Sequence, residues 1–202
     1  MIDGPQIKKI LEEKFPNFKI IYKEEYFEIY IKKNEIFDTI KKIKEDPELC
    51  YDQLTDLTAV DYPSREERFE LIYLFLSMTL NSRIVIKSSI KIEDKIESIS
   101  SLYKSANWFE RECYDLFGIY FLNHPDLRRI MTDYNFEGHP LRKDFPLTGH
   151  TEVRYDDLEK KVVYEPVQLN QEFRNFDYMS PWEGFENELI GDEKSKDKDK
   201  DN

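Results

Sequence analysis

The stretch RFELIYLFLSMT, residues 68–79, decides the fold because it is almost continuously apolar. A strand buried on both faces has this composition, whereas a half-buried strand alternates apolar and polar residues. Asn81 and Ser82 then form a turn signal, and a second run of strand-forming residues, RIVIKSSI (83–90), follows them. The pattern predicts a central strand covered on both faces, joined by a turn to another strand.

The residues before this stretch predict a helix, a hairpin and a second helix. Apolar residues at helical spacing predict an amphipathic helix over residues 5–15. The segment FKIIYKEEYFEIYIKK (18–33) predicts a β-hairpin, because its apolar residues alternate with polar ones such as Glu28, the period of a half-buried strand. A second helix is predicted over residues 34–45, with Asn34 as its N-cap.

Helical spacing returns after the second strand. It appears first between Ile92 and Leu102 and again in ANWFERECYDLF, residues 106–117. Together these elements predict an α+β domain, in which helices pack on a small mixed sheet. We expect this globular domain to comprise residues 1–118 and to end near Gly118.

A long extended C-terminal arm is predicted after the globular domain, over residues 119–185. Periodicity fades there and proline-containing turn signals dominate, yet the segment keeps many large aromatic residues. Such side chains rarely stay solvated over so long a run. We therefore expect the arm to be ordered against another protein. Residues 186–202, rich in lysine and aspartate, predict a disordered charged tail.

The most unusual part of the arm is GHPLRKDFPLTGH, residues 138–150. The chain has a net charge of -12, yet residues 124–154 hold five acidic and five basic side chains. This segment is either a surface loop with clustered charges or, as we prefer, a protein interface, where aromatic residues and arginines are enriched. Arg129 and Arg142 are expected to pair with carboxylates of a partner. The predicted partner interface comprises Arg128, Arg129, His139, Pro140, Arg142, Lys143, Asp144, Phe145, Pro146, Phe173, Arg174 and Trp182.

Composition argues against several kinds of site. Two cysteines, Cys50 and Cys113, make no disulfide framework and are too few for an iron–sulfur cluster, which usually takes four ligands. The acidic net charge argues against nucleic-acid binding. The glycine patterns of dinucleotide- and phosphate-binding loops do not occur. Because the sequence also has no targeting segment and no apolar run of 18 residues, we expect a protein that works where it is made and does not span a membrane.

A cysteine enzyme and a zinc site are the first two chemical alternatives. Cys113 could act as a nucleophile with His124 or His139 as its base, but neighbouring carboxylates suppress the thiolate. Cys113 also falls on the apolar face of the predicted helix, so core packing is expected. The cysteine and the three histidines lack the close ligand pairs of a zinc site. His124 and His139 precede prolines and are expected to fix turns or to donate to backbone carbonyls.

A carboxylate pair is the third alternative. Glu110, Glu112 and Asp115 lie close together on the predicted helix. Arg111 and Asp115 have i,i+4 spacing, which predicts a structural ion pair. Nothing in the pattern indicates an apolar pocket that would separate the pKa values of these carboxyl groups, so no acid–base pair is assigned. We therefore predict no catalytic residue in this chain.

Residues 110–131, ERECYDLFGIYFLNHPDLRRIM, resemble the signature of the 30 kDa subunit family of respiratory complex I, which includes the bacterial counterpart of that subunit. The signature positions are met at Glu110, Arg111, Glu112, Asp115, Leu116, Phe117, His124, Arg128, Ile130 and Met131. Segments 54–77, 132–156 and 172–184 resemble the same family in order, so the resemblance covers residues 5–184. It is closest to mitochondrially encoded and α-proteobacterial members.

The resemblance implies a non-catalytic peripheral-arm subunit of the proton-translocating NADH:quinone oxidoreductase. It implies that this chain binds no cofactor, that FMN and iron–sulfur clusters lie in neighbouring subunits, and that the 49 kDa subunit is the chief partner. The implied location is peripheral at the inner membrane, on the matrix side, or on the cytoplasmic side in a bacterium. The alternatives are a homologous subunit of a plastid NDH complex or membrane-bound hydrogenase, and a stand-alone cysteine enzyme.

Overall fold

A computed structural model describes residues 4–169 and residue 171 of the chain. The α-helices of these residues are α1 (Gly4–Lys14), α2 (Ile36–Glu45) and α3 (Ala106–Phe117). The strands are β1 (Lys19–Lys23), β2 (Tyr26–Tyr30), β3 (Gln53–Asp61), β4 (Phe69–Ser77), β5 (Ser82–Ile90), β6 (Lys95–Glu97), β7 (Tyr120–Leu122), β8 (Thr151–Asp156) and β9 (Lys161–Pro166). The predicted α+β class is confirmed.

Strands β4 and β5 lie inside a five-stranded mixed sheet with the order β1-β2-β5-β4-β3. They form an antiparallel hairpin whose turn holds Asn81 at a left-handed φ of 49°, a conformation that asparagine tolerates. Strand β3 pairs antiparallel with β4, whereas β2 pairs in parallel with β5. The two strands predicted around Asn81 are confirmed, while β3 is a strand that the sequence pattern did not predict.

The sheet buries one face fully and the other face in part. Along β4, Phe69, Leu71, Tyr73, Phe75 and Ser77 are buried, and the residues between them are half-buried. The buried side chains share one core with the inward residues of all three helices. The prediction that residues 68–79 are covered on both faces is therefore wrong, because the helices add their apolar residues to a single face.

The first helix and the hairpin are confirmed by α1 and by the antiparallel pair β1–β2. Glu28, however, is buried, because Lys23 and Lys87 donate to its carboxylate at 2.9 and 3.0 Å and Tyr30 donates at 3.1 Å. Burial raises the pKa of this carboxyl group, but the hydrogen bonds from the lysines and the tyrosine outweigh it and lower the pKa to about 2. Paired cations thus make a buried charge acceptable at a position that the alternating pattern assigns to solvent.

Two predicted helical segments differ from the structure. A 3-10 turn, Lys33–Glu35, precedes α2, so Asn34 lies inside this turn and does not act as the N-cap. Residues 92–102 form β6 and turns rather than a helix. The N–H of Ile99, which a helix would bond to the carbonyl four residues earlier, donates instead to the buried carboxylate of Glu110 at 2.7 Å.

The chain falls into two compact units. The first unit ends at His150 and contains the five-stranded sheet, the helices and residues 119–150, and the second contains the hairpin β8–β9. The sequence pattern placed the end of the globular domain earlier, near Gly118. Residue 170 and residues 172–202, which hold the end of the predicted arm and the predicted tail, lie outside the described residues. Within the described ranges, no helix is long and apolar enough to cross a membrane.

Candidate partner-docking site around helix α3

Helix α3 and the segment that follows it carry most of the residues singled out in the sequence. The helix packs against β3, where the Sγ atom of Cys113 lies 3.5 Å from the carbonyl oxygen of Leu57. Another side of the helix presents Arg111 and Asp115 to residues 128–132. The chain after α3 is therefore attached to the helix by side chains of the helix itself.

The Asp115 carboxylate is the centre of this attachment. It is fully buried, and Oδ2 accepts hydrogen bonds from the backbone N–H groups of Ile130, Met131 and Thr132 at 2.9, 2.7 and 2.9 Å. Oδ1 accepts from the Thr132 hydroxyl at 2.6 Å and from Arg129 Nη1 at 2.7 Å. Burial alone raises the pKa of a carboxyl group, but these donors outweigh it and hold the pKa of Asp115 well below its usual range. Asp115 is therefore ionised at neutral pH.

Arg111 also binds residues 128–132, by donating to backbone carbonyl groups of that stretch. Its Nε and Nη2 atoms donate to the carbonyl oxygens of Arg128 and Arg129, each at 3.1 Å. The predicted ion pair between Arg111 and Asp115 is therefore wrong. The peptide backbone supplies acceptors to the cation and donors to the anion, so each charge is compensated by residues 128–132 instead of by the other.

Residues 138–150 complete the C-terminal end of α3. The last four carbonyl groups of a helix have no donor within it. In α3, the carbonyl groups of residues 115–117 each receive a donor from this later segment. The donors are, in order, His139 Nδ1 at 2.8 Å, the Leu141 N–H at 3.1 Å and Arg142 Nε at 2.6 Å. A locally basic segment suits this position because cations are stabilised at the C-terminus of a helix.

Gly118 allows the segment to approach the helix end this closely. It ends α3 with a left-handed φ of 78°, and its N–H donates to the fourth carbonyl, that of Tyr114, at 2.9 Å. A Cβ atom at Gly118 would overlap the Arg142 guanidinium and lie 2.6 Å from Nε2 of His139. Burial is the main cause that lowers the pKa of His139, so its ring is neutral at neutral pH and donates through Nδ1–H.

Glu110 is buried in the first half of α3. Its carboxyl group accepts hydrogen bonds from Ser98 Oγ at 2.6 Å and from the Ile99 N–H at 2.7 Å. Burial raises the pKa of Glu110 to about 7, against the lowering effect of these two bonds. The sequence pattern indicated no apolar pocket that separates the pKa values of the neighbouring carboxylates. The structure contradicts this, because burial shifts Glu110 upward while hydrogen bonds shift Asp115 downward.

His124 lies beside Glu110, with Nε2 at 3.9 Å from a carboxyl oxygen. The same Nε2 donates to the carbonyl oxygen of Asn107 at 3.0 Å, and Nδ1 accepts from the Asp126 N–H at 3.0 Å. One ring nitrogen thus donates and the other accepts, which is the pattern of a neutral imidazole. The expectation that the two histidines before prolines bond to backbone carbonyls is confirmed at His124 and at His139.

Residues 138–150 are also bonded to the end of β3, at Asp61. The buried carboxylate of Asp61 accepts from the Lys143 N–H at 2.7 Å and from Nε and Nη2 of Arg68 at 2.6 and 2.7 Å. Arg68 also donates from Nη1 to Asp144 at 2.9 Å. The bonds from Arg68 are the main cause that lowers the pKa of Asp61. Residues 142–144 are therefore held between α3 and the sheet.

The predicted interface residues divide into inward and outward groups. Three have side chains that donate to residues of α3: Arg129, His139 and Arg142. Two are half-buried: Pro140 and Phe145. Four are exposed: Arg128, Lys143, Asp144 and Pro146. Three lie outside the described residues: Phe173, Arg174 and Trp182. Arg129 and Arg142 donate to Asp115 and to the C-terminal end of α3, and their expected pairing with carboxylates of a partner stays a prediction.

A set of exposed apolar side chains in the same region was not predicted from the sequence. They are Trp108, Met131, Tyr134, Leu141 and Leu147. Met131 and Leu141 lie next to the C-terminal end of α3, because their N–H groups bond to Asp115 and to the carbonyl of Leu116. Exposed apolar side chains near a polar rim are typical of docking surfaces. The signal that could have found them is the presence of large apolar residues in a segment without periodicity.

Cys113 lies in the hydrophobic core, as the sequence predicts. Burial raises the pKa of its thiol well above the usual value, and the nearby Glu112 raises it further. A thiol in this state lacks the thiolate that a nucleophile requires. In the part of the chain that the structure describes, no group of three or more His, Cys, Asp and Glu residues is placed to hold a metal ion.

Comparisons with a family model, with related sequences and with solved structures were made for this chain. The model of the respiratory-chain NADH dehydrogenase 30 kDa subunit matches residues 29–151. A subunit of the NADH-quinone oxidoreductase of Parvibaculum lavamentivorans is 51% identical over 193 residues, which are 96% of each chain. A trypsin-resistant fragment of Nqo5 has a TM-score of 0.53 and 28% identity, over 60% of this chain and 98% of the fragment. The membrane-bound sulfane sulfur reductase, an archaeal respiratory membrane complex, contains a similar chain with a TM-score of 0.61 and 26% identity. The match covers 71% of this chain and 86% of that chain.

The matched residues contain the site described above. They include α3, the loop bound by Asp115 and the cap that residues 138–150 form on the helix. A family model that spans more than half of the chain agrees with a relative that is half identical over nearly its full length. The chain belongs to the family of the 30 kDa subunit of respiratory-chain NADH dehydrogenase.

Proposed function

We propose that this chain is a non-catalytic peripheral-arm subunit of the proton-translocating NADH:quinone oxidoreductase. The relative from Parvibaculum lavamentivorans is a subunit of NADH-quinone oxidoreductase, which supports the same role here. The proposal that the chain is non-catalytic is supported by the hydrogen bonds that the signature residues make. Arg111 and Asp115 bond to the backbone of this chain, and Glu110 bonds to Ser98 and Ile99. Their chemistry is therefore structural.

The catalytic activity in this proposal belongs to the complex. FMN and iron–sulfur clusters would lie in neighbouring subunits, and this chain would hold those subunits in position during electron transfer from NADH to quinone. The chief partner would be the 49 kDa subunit, bound through the exposed apolar side chains beside α3 and through Lys143 and Arg128. Membrane association would be indirect, on the matrix side of the inner membrane or on the cytoplasmic side in a bacterium.

Native electrophoresis tests this proposal. Membranes from cells that carry a tagged full-length chain are separated on a native gel and stained for NADH dehydrogenase activity. We expect the tag to migrate with the active band, and we expect deletion of the gene to remove both the band and NADH:quinone activity. A chain that migrates alone, with full activity remaining after deletion, would contradict the proposal.

Cys113→Ser separates the proposal from a stand-alone cysteine enzyme. The substitution keeps a small side chain in the core, so assembly and NADH:quinone activity should stay close to those of the unsubstituted chain. Complete loss of activity in a complex that still assembles would favour cysteine chemistry.

A subunit of a related complex is the second candidate, because a chain of the archaeal sulfane sulfur reductase shares this fold. The purified complex distinguishes the two candidates by its electron donor. Oxidation of NADH with reduction of quinone supports the first candidate, and inactivity with NADH supports the second.

A further inference from the structure

Helix α3 holds a buried carboxyl group, that of Glu110, whose surroundings differ from those of the other buried carboxyl groups. The buried carboxyl groups in the described ranges are those of Glu28, Asp61, Glu110 and Asp115. Three of them have a cation at 3.0 Å or less: Glu28 with Lys23 and Lys87, Asp61 with Arg68, and Asp115 with Arg129. Among the described residues, Glu110 forms no ion pair with a lysine or arginine and faces the ring of His124 instead. A buried charge without a cation is costly, so we expect this group to hold a proton.

His124 does not supply the missing positive charge. Both side chains are fully buried, and Nε2 of the ring lies 3.9 Å from the Glu110 carboxyl group, beyond hydrogen-bond distance. Nε2–H donates to the Asn107 carbonyl, while Nδ1 accepts the N–H of Asp126, each at 3.0 Å. A second proton on the ring would turn Nδ1 into a donor that faces the Asp126 N–H. The proton shared by this pair of groups therefore belongs on Glu110.

Two serine hydroxyl groups satisfy Glu110 both with its proton and without it. Ser98 Oγ lies 2.6 Å from Oε2 of Glu110 and 2.7 Å from Ser100 Oγ, and it accepts the Ser100 N–H at 3.1 Å. When Glu110 is ionised, Ser98 donates to Oε2 and accepts from the Ser100 hydroxyl. When Glu110 is protonated, Oε2–H donates to Ser98, which then donates to the Ser100 hydroxyl. Ser98 thus donates one bond and accepts two in either state.

The same carboxyl group attaches the end of β6 to α3. Oε1 of Glu110 accepts the Ile99 N–H at 2.7 Å, just after β6 ends. The adjacent Ser98 N–H donates to the carbonyl of Leu122 in β7 at 3.0 Å. Strands β6 and β7 form a separate small sheet of three residue pairs. An element with so few bonds belongs to the least stable part of a fold, where local opening occurs first.

The groups around Glu110 favour the protonated state. Burial is the main cause that raises the pKa of Glu110 from 4.5 to about 7, and the negative charge of Glu97 on β6 raises it further, against the hydrogen bonds that the group accepts. Tyr73 on β4 and Cys113 on α3 also interact with it electrostatically, and burial raises the pKa of both. They are therefore neutral and supply no positive charge. Because the pKa of Glu110 is raised in the folded chain, its contact is strongest below pH 4.5 and weakens as the pH rises to 7.

We propose that Glu110 is a proton-sensitive latch, which closes the contact between α3 and Ile99 while it holds a proton and lowers the cost of opening that contact when the proton leaves. Opening lets water reach the carboxylate and replace the cation that its folded surroundings lack. The five-stranded sheet stays folded, because its strands pair with one another and not with β6 or β7. The latch belongs to this chain itself, so it does not depend on the assembly that the chain joins.

Amide hydrogen exchange of the purified full-length chain tests the latch at a single residue. The Ile99 N–H exchanges only when its bond to Glu110 opens. After correction for the intrinsic effect of pH on exchange, we expect the protection of Ile99 to fall on the order of 100-fold between pH 5 and pH 8, since each pKa unit corresponds to a tenfold change. Glu110→Gln should keep the protection constant, because the amide does not ionise. Glu112→Gln, on the same helix, should behave like the unsubstituted chain.

A second variant keeps the carboxyl group and changes its surroundings. Glu97→Gln removes the negative charge that faces Glu110, so the protection of Ile99 should fall less than in the unsubstituted chain. The N–H groups of β4 report global unfolding, and Ile99 should be less protected than they are. Constant protection of Ile99 from pH 5 to pH 8 would overturn the latch, and so would a fall that persists in Glu110→Gln. Protection equal to that of β4 would also overturn it, because the contact would then open only by global unfolding.

Discussion

Asp115 binds Thr132 at two points. Oδ2 accepts the backbone N–H at 2.9 Å, and Oδ1 accepts the side-chain hydroxyl at 2.6 Å. The two residues are 17 positions apart in the chain, so the carboxylate closes a loop between α3 and the segment after it. Arg111 and Asp115 are both signature residues of the family, and together they connect α3 to the segment after it.

Asp115→Asn is expected to destabilise the chain strongly. The amide has one acceptor oxygen and a donor group that faces the backbone N–H groups of residues 130–132, so buried donors lose their partners. We expect the free energy of unfolding of the full-length chain to fall by about 3–5 kcal/mol, measured by urea denaturation. Asp126→Asn is the control, because this exposed carboxylate pairs only with the exposed Arg128 side chain at 2.7 Å. It should cost less than about 1 kcal/mol, and equal losses in the two variants would contradict the role of Asp115.

Gly118→Ala is expected to separate residues 139–142 from the end of α3. The left-handed backbone and the overlap with Arg142 both oppose a side chain here, so the free energy of unfolding should fall by about 1–3 kcal/mol or more. A double-mutant cycle with Arg142→Ala checks the cause. The second substitution removes the overlap with the guanidinium but leaves the one with His139, so the two effects should be non-additive by about 0.5–3 kcal/mol. Strict additivity would show that the overlap with Arg142 does not contribute.

Arg142→Glu and Lys143→Glu should act on different properties of the protein. Arg142→Glu removes the donor to the Phe117 carbonyl and puts a negative charge at the helix C-terminus, so it should destabilise the chain itself by about 2–4 kcal/mol. The exposed Lys143 side chain has no such role, and Lys143→Glu should change the free energy of unfolding by less than about 0.5 kcal/mol.

The native gel then gives the second measurement for Lys143→Glu. A smaller fraction of the variant in the assembled complex, with unchanged stability, supports a contact of Lys143 with a partner. Normal assembly would remove Lys143 from the predicted interface.

Glu110 should make the stability of the chain depend on pH. Its pKa lies at about 7 in the folded chain, against an ordinary value of 4.5. Between these values the folded state keeps a proton that the unfolded state has released. The stabilisation is therefore complete below pH 4.5 and is lost as the pH rises to 7, by about 3 kcal/mol in total.

Glu110→Gln removes this dependence because the amide resembles the protonated carboxyl group. The difference in unfolding free energy between the unsubstituted chain and Glu110→Gln should change by that amount between pH 4.5 and pH 8, in urea titrations at several pH values. Glu112→Gln, at a half-buried position two residues away, is the control. An unchanged difference across the pH range would show that Glu110 does not titrate there.

The periodicity of apolar residues predicted the elements whose contacts are close in sequence. The bounds of α3 follow from its apolar spacing and from Gly118, and β4 and β5 follow from their strand-forming residues around Asn81. Strand β3 was missed because its sequence, QLTDLTAVD, mixes threonine and aspartate with the buried residues and carries a bulge near Leu54. The sequence pattern of residues 92–102 predicted a helix because Ile96 and Ile99 are three positions apart, which is also a helical spacing.

The site was harder to predict because its bonds join side chains to distant backbone groups. The sequence singled out Arg111, Asp115, His139 and Arg142, and the structure bonds all four within the chain. It could not show their partners, since a carboxylate that binds three N–H groups 15–17 residues away leaves no repeating pattern. For the same reason, the sequence alone did not show that Arg129 and Arg142 bind the C-terminal half of α3.

The cap on α3 has a consequence for the order of events during translation. Gly118 leaves the ribosome before His139, Leu141 and Arg142, which supply donors to the last carbonyl groups of the helix. At about 5–20 residues per second, the nascent helix waits on the order of seconds for its own terminus to be completed. A polypeptide that ends within that interval lacks these three donors, so the carbonyl groups of Leu116 and Phe117 are without their partners from residues 141 and 142.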